Sequence, residues 1–238
     1  MGDAGAGVGG LRLLEPRSRI GSVYQSRLCR QPRPIADDTL AEAHRALGTV
    51  QWFHHWDLEG AGREFLRAVE LKPGDAAARL SFGTYLASME PDSPRAKVEV
   101  ARARELDPLS ASTWGNSAWV YLWSREYEQA IRICRRAIEM DDQEPSAYYV
   151  LGLSLAGLRR WEESIRVFEK GTQLQCGNMM LAYLATSCAY AGERARAVEL
   201  LAELERRSET QPVLPTSFAF VHMGLGNAEI AIDPNSGS

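Results

Sequence analysis

The residues best placed to do chemistry are Phe53-His54-His55-Trp56-Asp57, where two imidazoles and a carboxylate follow one another. Such a set could hold a divalent metal or activate a water. Adjacent histidines on a helix, however, point about 100° apart, unlike the i, i+4 pair that closes on zinc. Only His44 and His222 complete the histidine inventory, so no triad suggests itself. The stretch is expected to be a polar turn, with Trp56 tucked into an interface and Asp57 capping the next helix. Glu162-Glu163 reads as a helix start, where carboxylates meet the positive end of the helix dipole, and Asp141-Asp142 as a turn. Gly5-Ala6-Gly7-Val8-Gly9-Gly10 spells a dinucleotide-binding glycine pattern, yet the four residues before it are too few for the strand that must deliver such a loop. No nucleophile elbow, P-loop or kinase motif occurs. The chain is therefore read as no enzyme, with no catalytic, cofactor-binding or metal-binding residue.

Composition narrows the class further. The formal charge of -4 argues against a nucleic-acid or anionic-membrane surface, which needs concentrated Lys and Arg. Arg135-Arg136 and Arg159-Arg160 read as solvated faces. Cys29, Cys134, Cys176 and Cys188 form neither a Cys-x-x-Cys pair nor a zinc-like spacing. That usage fits a reducing compartment, and with no apolar run long enough for a membrane span and no secretion signal, a cytoplasmic location is expected.

The elements that must position any functional residue are helices, and they repeat. Trp114 to Asp142 reads as two amphipathic helices joined by a tight turn, with Trp114, Ala118 and Tyr121 on one stripe and Tyr127, Ala130, Ile131, Cys134, Ala137 and Ile138 on the next. The leading helix recurs as His44-x-x-Leu47-Gly48-x-x-Gln51, Arg79-x-x-Phe82-Gly83-x-x-Leu86, Tyr148-x-x-Leu151-Gly152-x-x-Leu155 and Ala182-x-x-Ala185-Thr186-x-x-Ala189. In the trailing helix Ala61, Ala96, Ala130, Ser164 and Ala197 hold one place, at steps of 35, 34, 34 and 33. Each small residue marks a close helix crossing. The spacing predicts helix pairs over 39–54 with 58–71, 75–89 with 94–106, 110–124 with 127–140, 145–157 with 161–174, and 178–191 with 194–207. Thr39 and Glu42 form a capping box at the start, Lys72-Pro73-Gly74 closes the first unit with a left-handed glycine, and Pro94 and Pro145 sit in first turns.

These residues resemble the tetratricopeptide repeat (TPR), a 34-residue helix-turn-helix with a small residue in each helix and a closing proline. Pro73 and Pro108 match that proline; Asp142, Cys176 and Ser208 stand in its later places. The resemblance covers residues 38–208, and Leu40 to Gly48 with Trp56 to Gly74 is similar to the TPR tails of bacterial signalling and regulatory proteins. It implies an all-α solenoid of five to six repeats over 37–226, after a disordered segment 1–36 and before an irregular tail 227–238. It further implies a groove lined by leading helices. Transferring the register places there Arg45, Thr49 and Trp52, then Leu80 and Thr84, then Trp119, Leu122 and Trp123, then Tyr149 and Leu153, and last Tyr183, Ser187 and Tyr190.

The implied role is a protein-interaction scaffold for a peptide or partner domain; Arg45 as the only cation at those places argues against an acidic tail, and Trp119, Trp123, Tyr149 and Tyr183 point to an apolar or aromatic-rich segment. The alternative is a regulatory segment of a larger transcription regulator, kinase or cyclase. Trp119 and Trp123, four apart, share a helix face that Trp114, Ala118 and Tyr121 do not need for packing. Residues 212–226 read as a sixth leading helix whose Phe218, Phe220, Val221 and Met223 have little to cover them, an arrangement that implies self-association.

Overall fold

The computed structural model describes residues 41–174 and 177–227, all within the unit Asp37–Ser238. The expectations for residues 1–36, for the Thr39 capping box, for Cys29 and Cys176 and for most of the tail lie outside these residues. Within them the chain is all-α. The helices are α1 (Ala41–Val50), α2 (Leu58–Leu71), α3 (Ala76–Met89), α4 (Pro94–Leu106), α5 (Ala111–Trp123), α6 (Tyr127–Met140), α7 (Pro145–Gly157), α8 (Trp161–Gln173), α9 (Gly177–Tyr190), α10 (Arg194–Ser208) and α11 (Pro215–Gly224). Odd-numbered helices lead and even-numbered helices trail. Each packs on its partner and on the next pair, which is how a solenoid buries stripes that no single helix could bury.

Local chemistry sets the ends of these helices. Asp75 accepts hydrogen bonds from the Ala77 and Ala78 amides at the start of α3, Ser110 accepts from Thr113 at α5, and Glu144 accepts from Ser146 at α7. Pro94 and Pro145 stand in first turns, where a missing N–H costs nothing. Asp57 caps α2 by accepting from the Gly60 amide at 2.8 Å. The turn at Pro73-Gly74 differs from expectation: Gly74 is not left-handed, and the reversal is completed by the Asp75 amide donating to the Lys72 carbonyl.

Small residues are where the helices cross. Ala61, Ala96, Ala130 and Ala197 are fully buried, as is Ser164. A Cβ on Gly152 would stand 2.4 Å from the Phe168 ring, and one on Gly83 would stand 2.7 Å from Val100 and 3.0 Å from the Ala96 carbonyl. Large side chains fill the spaces between crossings. Phe65, Ile131, Leu155, Phe168, Met180 and Leu204 are buried almost completely, each stabilising the stack by roughly 1.5–3 kcal/mol. Cys134 lies among them, its thiol pushed up beyond the usual range by burial, as befits a small hydrophobe.

The first pair departs from the pattern. After Val50 the helix widens into a π turn, Gln51–His55, and Trp56 follows at φ 54°. A π turn carries one residue more than the α-helix it interrupts, so side chains beyond it change face. The expectation that Trp56 is tucked into an interface is corrected: it is 78% exposed. Gln51, in the place held elsewhere by Leu86, Tyr121 and Leu155, leaves its side-chain oxygen buried with no hydrogen-bond partner, typically a cost of about 1–3 kcal/mol.

At the other end, α11 packs mainly on α9 and lightly on α10. Val221 is fully buried and Phe218 half-buried against the last core, contrary to the expectation that both lack cover. Phe220 and Met223 remain exposed, as expected.

Candidate interaction groove

Helices α1, α3 and α5 lie side by side, and their facing residues enclose an open cleft of about 480 Å³. Thr49 and Trp52 contribute from α1 and its π turn, Leu80 and Thr84 from α3, and Trp119 and Trp123 from α5. These six are groove positions expected from sequence. Phe53, Phe65, Ser81, Ser88 and Asn116 join them without having been expected. Phe53 enters because the π turn brings it onto the face of Trp52, with the two rings stacked at 4.6 Å. Asn116 was legible in principle, being seven residues before Trp123 and three before Trp119, on the same face of α5.

The cleft is aromatic on both flanks and small in the middle. Trp52 meets Phe65 and Tyr85 edge-on at 6.0 and 5.7 Å, while Trp119 and Trp123 lean together at 5.7 Å. Its polar atoms are largely engaged within their own helices. The Thr49 hydroxyl donates to the Arg45 carbonyl, Thr84 to Leu80, Ser88 to Tyr85, and the Asn116 amide to Ser112. No charged side chain lines it among the described residues. Its chemistry is therefore apolar contact and aromatic packing.

The remaining expected positions are placed differently. Arg45 and Leu122 do not line the cleft, Leu122 packing against the central core. Tyr149 and Tyr183 meet at 6.2 Å between α7 and α9, Tyr183 also touches Phe168 and Phe220, and Leu153 packs against the same core. Burial there raises the Tyr183 phenol above its ordinary pKa. Ser187 is 2% exposed, its hydroxyl 3.1 Å from that of Ser164 at a helix crossing, so it faces the core. Tyr190 stacks on Trp161 at 5.0 Å, on the edge where leading helices turn into trailing ones.

His54 and His55 are exposed, and their neighbour Asp57 is committed to its cap. Among the described residues no group of three or more His, Cys, Asp or Glu side chains is arranged to hold a metal. No described helix is long and apolar enough to cross a membrane.

Stacked helical hairpins with small residues at every crossing define the class: a helical-repeat solenoid. Residues 113–146, running from α5 through α6 to the first turn of α7, match the family model of the tetratricopeptide repeat. Solved structures agree on the fold. TTC0263, a thermophilic TPR protein of Thermus thermophilus, is 15% identical and superposes with a TM-score of 0.64 over 80% of this chain and 99% of its own. MamA of Desulfovibrio magneticus RS-1 is 19% identical, with a TM-score of 0.58 over 74% of this chain and 99% of its own. YrrB, a TPR protein with an unusual peptide-binding site, is 18% identical, with a TM-score of 0.51 over 81% of this chain and 93% of its own.

Proposed function

We propose that this chain is a non-catalytic scaffold of the cytoplasm that docks an apolar, aromatic-rich segment of a partner protein in the cleft between α1, α3 and α5. The observation that carries the reading is the lining itself: aromatic flanks, a small-residue middle and no charge among the described residues. A site whose hydroxyls are largely engaged and that holds no counter-ion rewards burial of apolar side chains and penalises burial of charge. Trp and Tyr are also the residues most often found as interface hot spots. The peptide-binding site of YrrB, on the same fold, is in keeping with this use.

The test is a selection of random dodecapeptides on the full-length protein, followed by fluorescence titration of the enriched sequences. Aromatic and aliphatic sequences are expected, and the double variant Trp119→Ala, Trp123→Ala should weaken them by about 2 kcal/mol per truncated anchor while leaving the helical spectrum intact. Enrichment of highly charged peptides, or capture that ignores the double variant, would overturn the assignment.

A further inference from the structure

Away from the cleft, the turns from leading to trailing helix form a rim that recurs with the repeat. Four of these turns hold a left-handed residue, Trp56 at φ 54°, Arg125 at 60°, Arg159 at 57° and Gly192 at 88°, whereas the turn between α3 and α4 holds none. Glycine adopts this geometry freely and a residue with a Cβ does not, so Arg125 and Arg159 hold a strained place that Gly192 fills one repeat later. Both arginines are exposed, and neither makes an ion pair among the described residues. Three of their acidic neighbours are engaged elsewhere, Glu126 with Lys97 and both Glu128 and Glu163 with Arg160, while Glu162 is exposed.

Two residues after each arginine an aromatic opens the trailing helix, Tyr127 on α6 and Trp161 on α8. Trp161 lies nearly parallel to Tyr190, at 17°, and Tyr190 is 49% exposed. A cleft of about 340 Å³ adjoins Arg125 and Tyr127 and is bounded by Leu158; one of about 550 Å³ adjoins Arg159, Trp161 and Tyr190. Because α5 packs directly on α7, the two turns are separated by about one interhelical distance, 8–10 Å, which an extended chain spans in roughly three residues.

We propose that this rim is a second docking surface, taking an extended acidic segment of a partner protein whose two carboxylates reach Arg125 and Arg159 while a proline or aromatic ring lies against Trp161 and Tyr190. An unpaired guanidinium offers a carboxylate a planar fork of donors, and the exposed ring beside it offers an apolar seat. The same rim carries Glu126, Glu128, Glu162 and Glu163. Two guanidiniums set among these carboxylates suit two isolated acidic side chains rather than the continuous phosphates of a nucleic acid.

The experiment measures fluorescence anisotropy of a labelled Gly-Ser-Glu-Pro-Phe-Glu-Ser-Gly peptide on the full chain, beside its twin with both glutamates replaced by glutamine and a single-stranded oligoadenylate. The acidic peptide should bind roughly tenfold more tightly than its twin, the sum of two exposed pairs, and less tightly as salt rises. Arg125→Gly with Arg159→Gly should lose that factor while melting no lower than the wild type, and Arg125→Gln with Arg159→Gln should lose it equally. Equal binding of the two peptides, unaltered binding by either double variant, a lower melting midpoint for the glycine pair, or preference for oligoadenylate would each overturn the proposal. So would loss of peptide binding in the Trp119→Ala, Trp123→Ala variant, which would return the peptide to the cleft.

Discussion

The first three and the last three leading helices use the same register for different ends. In α1, α3 and α5, aromatic residues stand on the outer helices and Leu80, Ser81, Thr84 and Ser88 on the middle one, so a space is left open. In α7, α9 and α11 the middle helix carries Tyr183, which touches Tyr149, Phe168 and Phe220 and closes the corresponding space. Side-chain volume on the central helix decides whether a repeat face becomes a site or a seam. The fold supplies the positions; composition at two or three of them supplies the cavity.

The strongest way to break this comparison is to spoil what both regions share. Ala130 is fully buried where α6 crosses its neighbours, so Ala130→Trp should destabilise by about 3 kcal/mol or more, read from the urea midpoint. An unchanged midpoint would mean that the crossings are not set by small residues. Next, the seam and the site should respond differently to truncation. Tyr183→Ala should cost about 2–3 kcal/mol of stability, since it empties a closed aromatic contact, whereas Trp119→Ala should cost about 1 kcal/mol because its ring faces open space on one side. Equal costs would erase the distinction drawn above.

At the end of the array Phe220 and Met223 are exposed on a helix that leads no trailing partner among the described residues. Light scattering should show concentration-dependent association that falls when both are replaced by serine, and a monomer at millimolar concentration would count against it. The smallest effect belongs to a cap. Burial alone would raise the Asp75 pKa, but hydrogen bonds from the Ala78 amide and from Lys72 outweigh it and hold the carboxyl below its ordinary value. Its contribution is then present above about pH 4 and lost as pH falls through the lower folded-state value. Asp75→Ala should cost about 1 kcal/mol at pH 7 in a urea titration, and the deficit should narrow in acid.

Most of the fold was legible because its signal is redundant. Five copies of one pattern, spaced by 33 to 35 residues, located the helix pairs, and Gly48, Gly83 and Gly152 announced their crossings. The lining of the cleft was legible where a repeat obeys its register, as at Thr49, Leu80, Thr84, Trp119 and Trp123. It was lost where something non-local intervened. The π turn at Gln51–His55 delivered Phe53 to the cleft and Trp56 to solvent, and no periodicity in the sequence announces an extra residue in a turn. Ser187 sits at a register place that faces a groove in the resemblance, yet Ser164 offers it a buried hydroxyl across the crossing. Tyr190 stands at a helix end, where Trp161 captures its ring.

Because every helix packs only on near neighbours in the array, curvature is the sum of many small and separately adjustable angles. The cleft spans three successive hairpins, so its width is tied to that curvature. Straightening the array would change the gap between the flanks that Trp52 and Trp119 form, and a ligand wedged between them would stiffen the array as a strut stiffens a spring. Occupancy and bending are, in this architecture, two readings of one mechanical coordinate.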